Sequence, residues 1–315
     1  MPTRIFPDRS DSEGLDDAFD TGAIEPATSR SGLMAFSDLS WPAIGEFRAT
    51  WSVMAGDERQ RLIHSLVEYA EQSVDVNFHR VFREVLTDEN PRIRQLGIEG
   101  LWEDDNAGLP AIYLDMLRSD PDADVRAEAA RALQRHAEEI APATIGNVDG
   151  LLIETLVSIG GDPTENALVR RRCIETSGTL AGDARVVGLI REAYADDDQT
   201  LAAGALRAMG LSRQPRWIPE IERAMESPDA EFRFEAAGAA GLLGESSLVE
   251  SLATLLDDED AEVQAAAVGA LGKIGGSGAL RVLRRLAETQ LIADEEMIQD
   301  ALDEAMLSED PLASS

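Results

Sequence analysis

Stretches of this chain superimpose on one another, and that self-similarity constrains the fold more than any single motif does. Helix-like runs beginning near Ile93, Val125, Val169, Asp198, Phe232 and Val263 recur at a period of roughly 30 residues. Four residues after each start stand Gly97, Ala129, Cys173, Ala202, Ala236 and Ala267; seven after stand Gly100, Ala132, Thr176, Ala205, Ala239 and Ala270. Small side chains at both positions predict helices that approach one another closely. Eight after each start come Leu101, Leu133, Ser177, Leu206, Ala240 and Leu271, which complete an inward stripe at helical spacing. Shorter amphipathic segments at 110–117, 151–158, 184–193, 217–225, 248–256 and 279–287 supply the other helix of each pair. Acidic turns join them: Asp120-Pro-Asp-Ala-Asp124, Asp196-Asp-Asp198, Ser227-Pro-Asp229 and Asp257-Asp-Glu-Asp260 put cap-type residues where a helix should begin.

The reading is an all-α, right-handed α-solenoid, a superhelix of about six to seven helix pairs over 88–307, with one longer joint at 137–147. Composition agrees. Apolar residues make up 44% of the chain but aromatics only 5%, without the β-branched and aromatic bias of strands. Residues 36–87 are helical but fit the repeat poorly, as expected of an N-terminal cap that covers the first internal unit. There Asp57-Glu-Arg-Gln60 has capping-box spacing, Asp75 is expected to cap the next helix, and Trp41 and Trp51 are expected to fill the core. Residues 1–35 read as a disordered acidic tail, since 1–32 carry seven acids and three arginines with little apolar periodicity; 308–315 read as a second disordered tail.

Charge narrows the partners. Formal net charge is -32, and Lys273 is the one lysine among 28 basic residues. Such a surface repels phosphate backbones and anionic lipid and attracts basic partners, so neither nucleic acid nor membrane is an expected ligand. One cysteine, Cys173, permits no intrachain disulfide and no cysteine-clustered metal site. With no apolar leader and no run near the roughly 20 apolar residues of a membrane span, a cytoplasmic monomer is expected.

Two runs carry a family resemblance. Asp124-Val-Arg-Ala-Glu-Ala-Ala-Arg-Ala-Leu133 and Glu262-Val-Gln-Ala-Ala-Ala-Val-Gly-Ala-Leu-Gly-Lys-Ile-Gly275 resemble the short bacterial HEAT repeats, including the phycobilisome-lyase-like subtype, over roughly 88–305. The first and third units depart most, at Asp104 and Ser177. That resemblance implies a scaffold in most cases, and a lyase or DNA-repair enzyme in a minority.

Chemistry is hard to find in the pattern. His64, His79 and His136 are scattered, and His136 fills a position occupied elsewhere by apolar residues. Gly269-Ala-Leu-Gly-Lys-Ile-Gly-Gly-Ser-Gly278 lacks the first glycine of a phosphate loop and has Ile274 where Ser or Thr is needed; Gly210, Gly244 and Gly275 read instead as turns between helix pairs. Asp120, Asp122 and Asp124 have the spacing of a calcium loop, but Val125 replaces its glycine and Arg131 its bidentate Glu. Arg94, Arg126, Arg170 and Arg233, one residue after the helix starts, are expected to form a ladder with the acidic turns, broken at Gln199 and Gln264. No catalytic residue, cofactor or metal is therefore assigned.

The expected function is a non-catalytic scaffold or adaptor with a concave helical surface for a protein or peptide partner. The alternative is a lyase-like HEAT protein handling a tetrapyrrole or carrier protein. Position six after each start should face outward, and there stand Glu99, Arg131, Glu175, Gly204, Gly238 and Gly269. With Arg171 and Arg172 these form the candidate partner face: an arginine-bearing half for an acidic peptide or the chain's own tail, and a glycine-bearing half for a close-lying helix or extended segment.

Overall fold

The computed structural model describes residues 29–139, 147–289 and 295–309. Among them are seventeen α-helices and no strand, so the fold is an all-α solenoid, as the repeat requires. The chain forms two compact units, Met1–Ala132 and Leu133–Ser315.

The first unit contains α1 (Arg30–Met34), α2 (Trp41–Val53), α3 (Gly56–Gln72), α4 (His79–Val85), α5 (Pro91–Glu99), α6 (Leu109–Ser119) and the start of α7 (Ala123–Glu139). Large rings fill its core. Phe36, Phe47, Phe78 and Phe82 are fully buried; Phe36 meets Phe47, and Phe78 meets Phe82, edge-on at 6.2 Å. Several expectations shift here. Residues 29–35 were expected within the tail, yet α1 is helical, buries Leu33 and donates from Arg30 Nε to the Tyr69 hydroxyl at 3.1 Å. Residues 1–28 lie outside the described residues. Trp41 does not fill the core: it is 71% exposed beneath the Arg80 guanidinium, 5.2 Å from its ring centroid. Trp51 does pack, stacking on Phe47 at 5.2 Å and donating from Nε1 to Asp88 at 2.8 Å. Asp75 does not cap α4, which begins only at His79, where Asn77 Oδ1 accepts the backbone N–H. Glu58 closes the α3 cap by accepting from the Ala55 N–H at 3.3 Å, so the box sits earlier than expected. Asp104, the odd residue of the first repeat, is buried because Arg83 of α4 donates Nε to it at 2.6 Å.

The second unit continues with α8 (Asn147–Gly160), α9 (Ala167–Ser177), α10 (Ala184–Tyr194), α11 (Gln199–Leu211), α12 (Ile218–Met225), α13 (Ala230–Leu243), α14 (Val249–Leu255), α15 (Ala261–Ile274), α16 (Gly276–Thr289) and α17 (Glu295–Glu309). Of the joint expected at 137–147, helix α7 runs through residue 139 and α8 begins at 147; 140–146, like 310–315, lie outside the described residues. The second helices of the pairs stack in order, α9 on α11, α11 on α13, α13 on α15, and α15 on the terminal α17.

Backbone meets backbone in that stack. A Cβ built on Gly178 would lie 2.6 Å from the Ala208 carbonyl oxygen, and one on Gly210 would lie 2.7 Å from that of Ala239. Likewise Gly241 meets Ala270 Cα at 2.9 Å and Gly272 meets Ala301 Cα at 3.1 Å. Each glycine thus accepts the alanine of the next repeat, at Gly178, Gly210 and Gly241 closer than a Cβ could sit and at Gly272 tightly enough that the neighbour would have to give. Gly210 is therefore a packing residue inside α11 and not a turn, whereas Gly244 and Gly275, with φ of 77° and 63°, do turn the chain.

The helix starts share one device. Asn166, Asp198, Asp229 and Asp260 are the N-caps of α9, α11, α13 and α15, each accepting the N–H two residues on at 2.8–2.9 Å. Three residues beyond each cap stand Val169, Leu201, Phe232 and Val263, so the fourth repeat begins at Leu201, three residues later than the sequence register placed it. The arginine ladder is present at Arg94, Arg170 and Arg233. Arg94 donates to Asp120 at 2.6 and 2.8 Å, Arg233 donates to Asp258 at 2.6 and 2.8 Å, and Arg170 lies 3.6 Å from Asp196. Arg94, Arg126, Arg233 and Gln264 also donate to the backbone oxygen six residues earlier, which ties each second helix to its own turn.

Candidate functional site

With the register set by the caps, the outward residue of α11 is Arg207. Gly204 lies one turn earlier, buried beneath the Arg171 stem, whose Cγ a Cβ would approach to 2.9 Å. That glycine opens a passage. Arg171 of α9 crosses α11 there and reaches α13, donating Nε to Glu175 at 2.7 Å and its terminal nitrogen to Glu235 at 2.8 Å. Arg172 donates to the other oxygen of Glu175 at 2.7 Å. Glu175 is 2% exposed, so both arginines compensate a carboxylate that could not otherwise be buried. Burial raises the Glu235 carboxyl above the ordinary carboxylate range; Arg171 opposes that rise and Glu175 adds to it.

Arg171, Arg172 and Glu175 are thus brought together, but as an internal network and not as open cations. Arg131, in the first unit, is likewise occupied, hydrogen-bonding Glu128 of its own helix, with Glu99 contributing to the field at its guanidinium. The arginine-bearing half of the expected face therefore offers few uncommitted charges.

The glycine-bearing half differs. Nothing lies within 4 Å of a Cβ built on Gly238 or on Gly269, and both are half-buried in mid-helix. Phe234, one turn before Gly238, is 41% exposed. Exposed Lys273 follows Gly269 by one turn, and exposed Arg207 lies within electrostatic reach of Glu235. The result is a low floor of helix backbone with one aromatic and two cationic side chains beside it. Sequence reasoning missed Arg207 through the three-residue slip; aligning the Asx caps would have recovered it.

Other candidates resolve into structure. Cys173 is fully buried, and burial pushes its thiol up, away from reactivity. His64 pairs with Glu68 at 3.4 Å on the exposed side of α3. Among the described residues no group of three or more His, Cys, Asp or Glu could hold a metal ion, and no helix is long and apolar enough to cross a membrane.

Residues 188–258 and 218–302 match the sequence profile of HEAT repeats. No curated protein matches the chain. Among solved structures, Kap121p bound to Pho4p is similar with a TM-score of 0.51 at 14% identity, covering 93% of this chain and 37% of that one. Kap121p bound to the SUMO protease Ulp1p gives 0.50 at 15% identity, over 96% of this chain and 39% of that one. E. coli YibA covers 77% of this chain and 96% of its own at 18% identity, with a TM-score of 0.42. These likenesses concern the fold.

Proposed function

We propose that the chain is a non-catalytic protein-interaction scaffold whose second unit receives a helix or extended segment of a partner on the exposed face of α13 and α15. One observation carries this reading: Gly238 and Gly269 stand in mid-helix where packing does not ask for glycine. A helix-interior glycine costs roughly 1 kcal/mol relative to alanine, and at Gly210, Gly241 and Gly272 close contacts account for it. At Gly238 and Gly269 there is open space instead. A partner backbone lying across these two positions explains the missing methyl groups, and Phe234 supplies an aromatic anchor beside them. Arg207 and Lys273 add cations that favour a segment with carboxylates at its ends.

Photo-crosslinking tests this. A photoreactive residue at position 238 or 269 should trap the same protein in cells, while one at Glu250, exposed on the first helix α14, should not. Equal capture of that protein from position 250 would sink the assignment of the face.

A further inference from the structure

A second charged surface lies on α16, and it belongs to neither face discussed above. Leu280, Leu283 and Leu286 turn inward from this helix and are 0–3% exposed. Arg281, Arg284 and Arg285 occupy the opposite side, all exposed, and together with Ser277, Leu280 and Glu288 they line a shallow groove. What sets them apart is that three such groups share one helix face. Arg94, Arg171, Arg172 and Arg233 each donate to a carboxylate at 2.8 Å or less. None of the three α16 arginines has a carboxylate within 4.0 Å, or a ring beneath it, among the described residues. A chain of net charge -32 has acid to spare, yet among the described residues these three guanidinium groups stand together without an ion-pair partner.

We infer that the arginine face of α16 docks a short carboxylate-rich peptide segment of a partner protein. Charge complementarity selects the ligand's sign, and the planar guanidinium suits flat two-oxygen acceptors such as carboxylate, which it meets with two parallel hydrogen bonds. Patch size selects its length. Positions 281 to 285 span about 6 Å of helix rise, less than the roughly 10 Å over which charges act at 0.1 M salt. A short acidic segment can sit inside that window. A nucleic acid or a lipid surface extends beyond it and meets the acidic remainder of the molecule, Glu288 first. This site stands independently of the face on α13 and α15.

The test is fluorescence anisotropy with the full chain and a fluorescein-labelled peptide of alternating Glu and Gly. Wild type should bind, more weakly as salt rises, and Arg281→Gln/Arg284→Gln/Arg285→Gln should bind about tenfold more weakly or worse, since charge-assisted bonds are worth more than 1.4 kcal/mol together. Arg118→Gln, which removes a single exposed arginine of the first unit, should bind as wild type does. The triple variant should keep the wild-type melting temperature because its side chains hold nothing in place; if it melts early, Arg284→Gln alone takes its place. No binding by wild type overturns the proposal, as does equal binding by the arginine variants. Tighter binding of heparin or duplex DNA than of the peptide would assign the patch to an extended polyanion and likewise overturn it.

Discussion

The two units hold helices together by opposite means. In the first, the space between helices is filled: Phe36, Phe47, Phe78 and Phe82 are buried, and Gly100 exists to admit the Phe82 ring, which a Cβ would meet at 2.5 Å. In the second, the space is removed: Gly178, Gly210, Gly241 and Gly272 let α9, α11, α13, α15 and α17 touch through backbone at Ala208, Ala239, Ala270 and Ala301. Residues seven and nine after the helix start show the exchange. They are Gly100 and Trp102 in the first repeat but Ala239 and Gly241 in the fifth. Aromatic filling tolerates irregular helix lengths, because a ring can tilt to suit its neighbours. Glycine contact demands a constant repeat, and leaves a surface of backbone and small side chains behind it.

The largest effect should come from burying a charge in the regular stack. Leu271 is fully buried in α15, and Leu271→Asp should destabilise the second unit by on the order of 4 kcal/mol or more. Hydrogen exchange should show protection lost first in α13, α15 and α17, which pack on one another, and least in α2 and α3. Uniform loss in both units would mean they unfold as one, and the contrast would fail as an energetic statement.

Next in size are methyl groups added at the two kinds of glycine. Gly210→Ala drives a Cβ against the backbone of Ala239, so α11 and α13 must separate, at a cost of about 2–3 kcal/mol. Gly100→Ala meets the Phe82 ring first, a side chain that can shift where backbone cannot, and should cost less. Thermal melts of the two variants rank them directly. The reverse order would show that the ring, not the backbone contact, is the more rigid constraint.

Two carboxylates of the second unit sharpen its electrostatics. Hydrogen bonding from Arg233 lowers Asp258 below its ordinary value of 3.8, so its stabilisation is present above that value and is lost as pH falls through the lowered one. Glu235 is raised above its ordinary 4.5 by burial, so its contribution is present below 4.5 and is lost as pH rises through the raised value. Relative to wild type, Asp258→Asn should therefore lose melting temperature as pH rises from acid, and Glu235→Gln should gain. Parallel slopes would show that Arg171 fully compensates Glu235.

Much of this was legible in the sequence. The helix-pair repeat, the ladder of Arg94, Arg170 and Arg233, and the turns at Gly244 and Gly275 follow from periodicity and local chemistry, which a sequence displays directly. The rest was hidden for physical reasons. Trp41 looks like core by composition, but its exposure depends on where Arg80 lies. Arg171 looks available until Gly204 is seen to open its route to Glu235, sixty-four residues on. The fourth repeat slips in register because Asp198 stands at the spacing of the apolar starts, although the acid is the cap and Leu201 is the start. Small residues were correctly expected to bring helices together; which of them do so depends on a nine-residue offset that only packing reveals.

The smallest predicted effect separates packing glycines from functional ones. Gly238→Ala and Gly269→Ala place a methyl group in open space, in a helix interior, at negative φ. Alanine restricts the unfolded chain and suits the helix, so each variant should gain about 0.5–1 kcal/mol. That gain is opposite in sign to the cost at Gly210, although all three residues are helical glycines of one stack. Denaturant melts of the double variant Gly238→Ala/Gly269→Ala therefore test whether the small-residue surface has one purpose or two. A loss of stability would mean that these positions are also packed, and the face would revert to a by-product of close helix contact. A gain in stability together with weaker partner crosslinking from the neighbouring Phe234 position would mean the two methyl groups are absent for the partner's sake. Such a face gives up stability to let another backbone come close, as Gly210, Gly241 and Gly272 admit the backbone of their own neighbours.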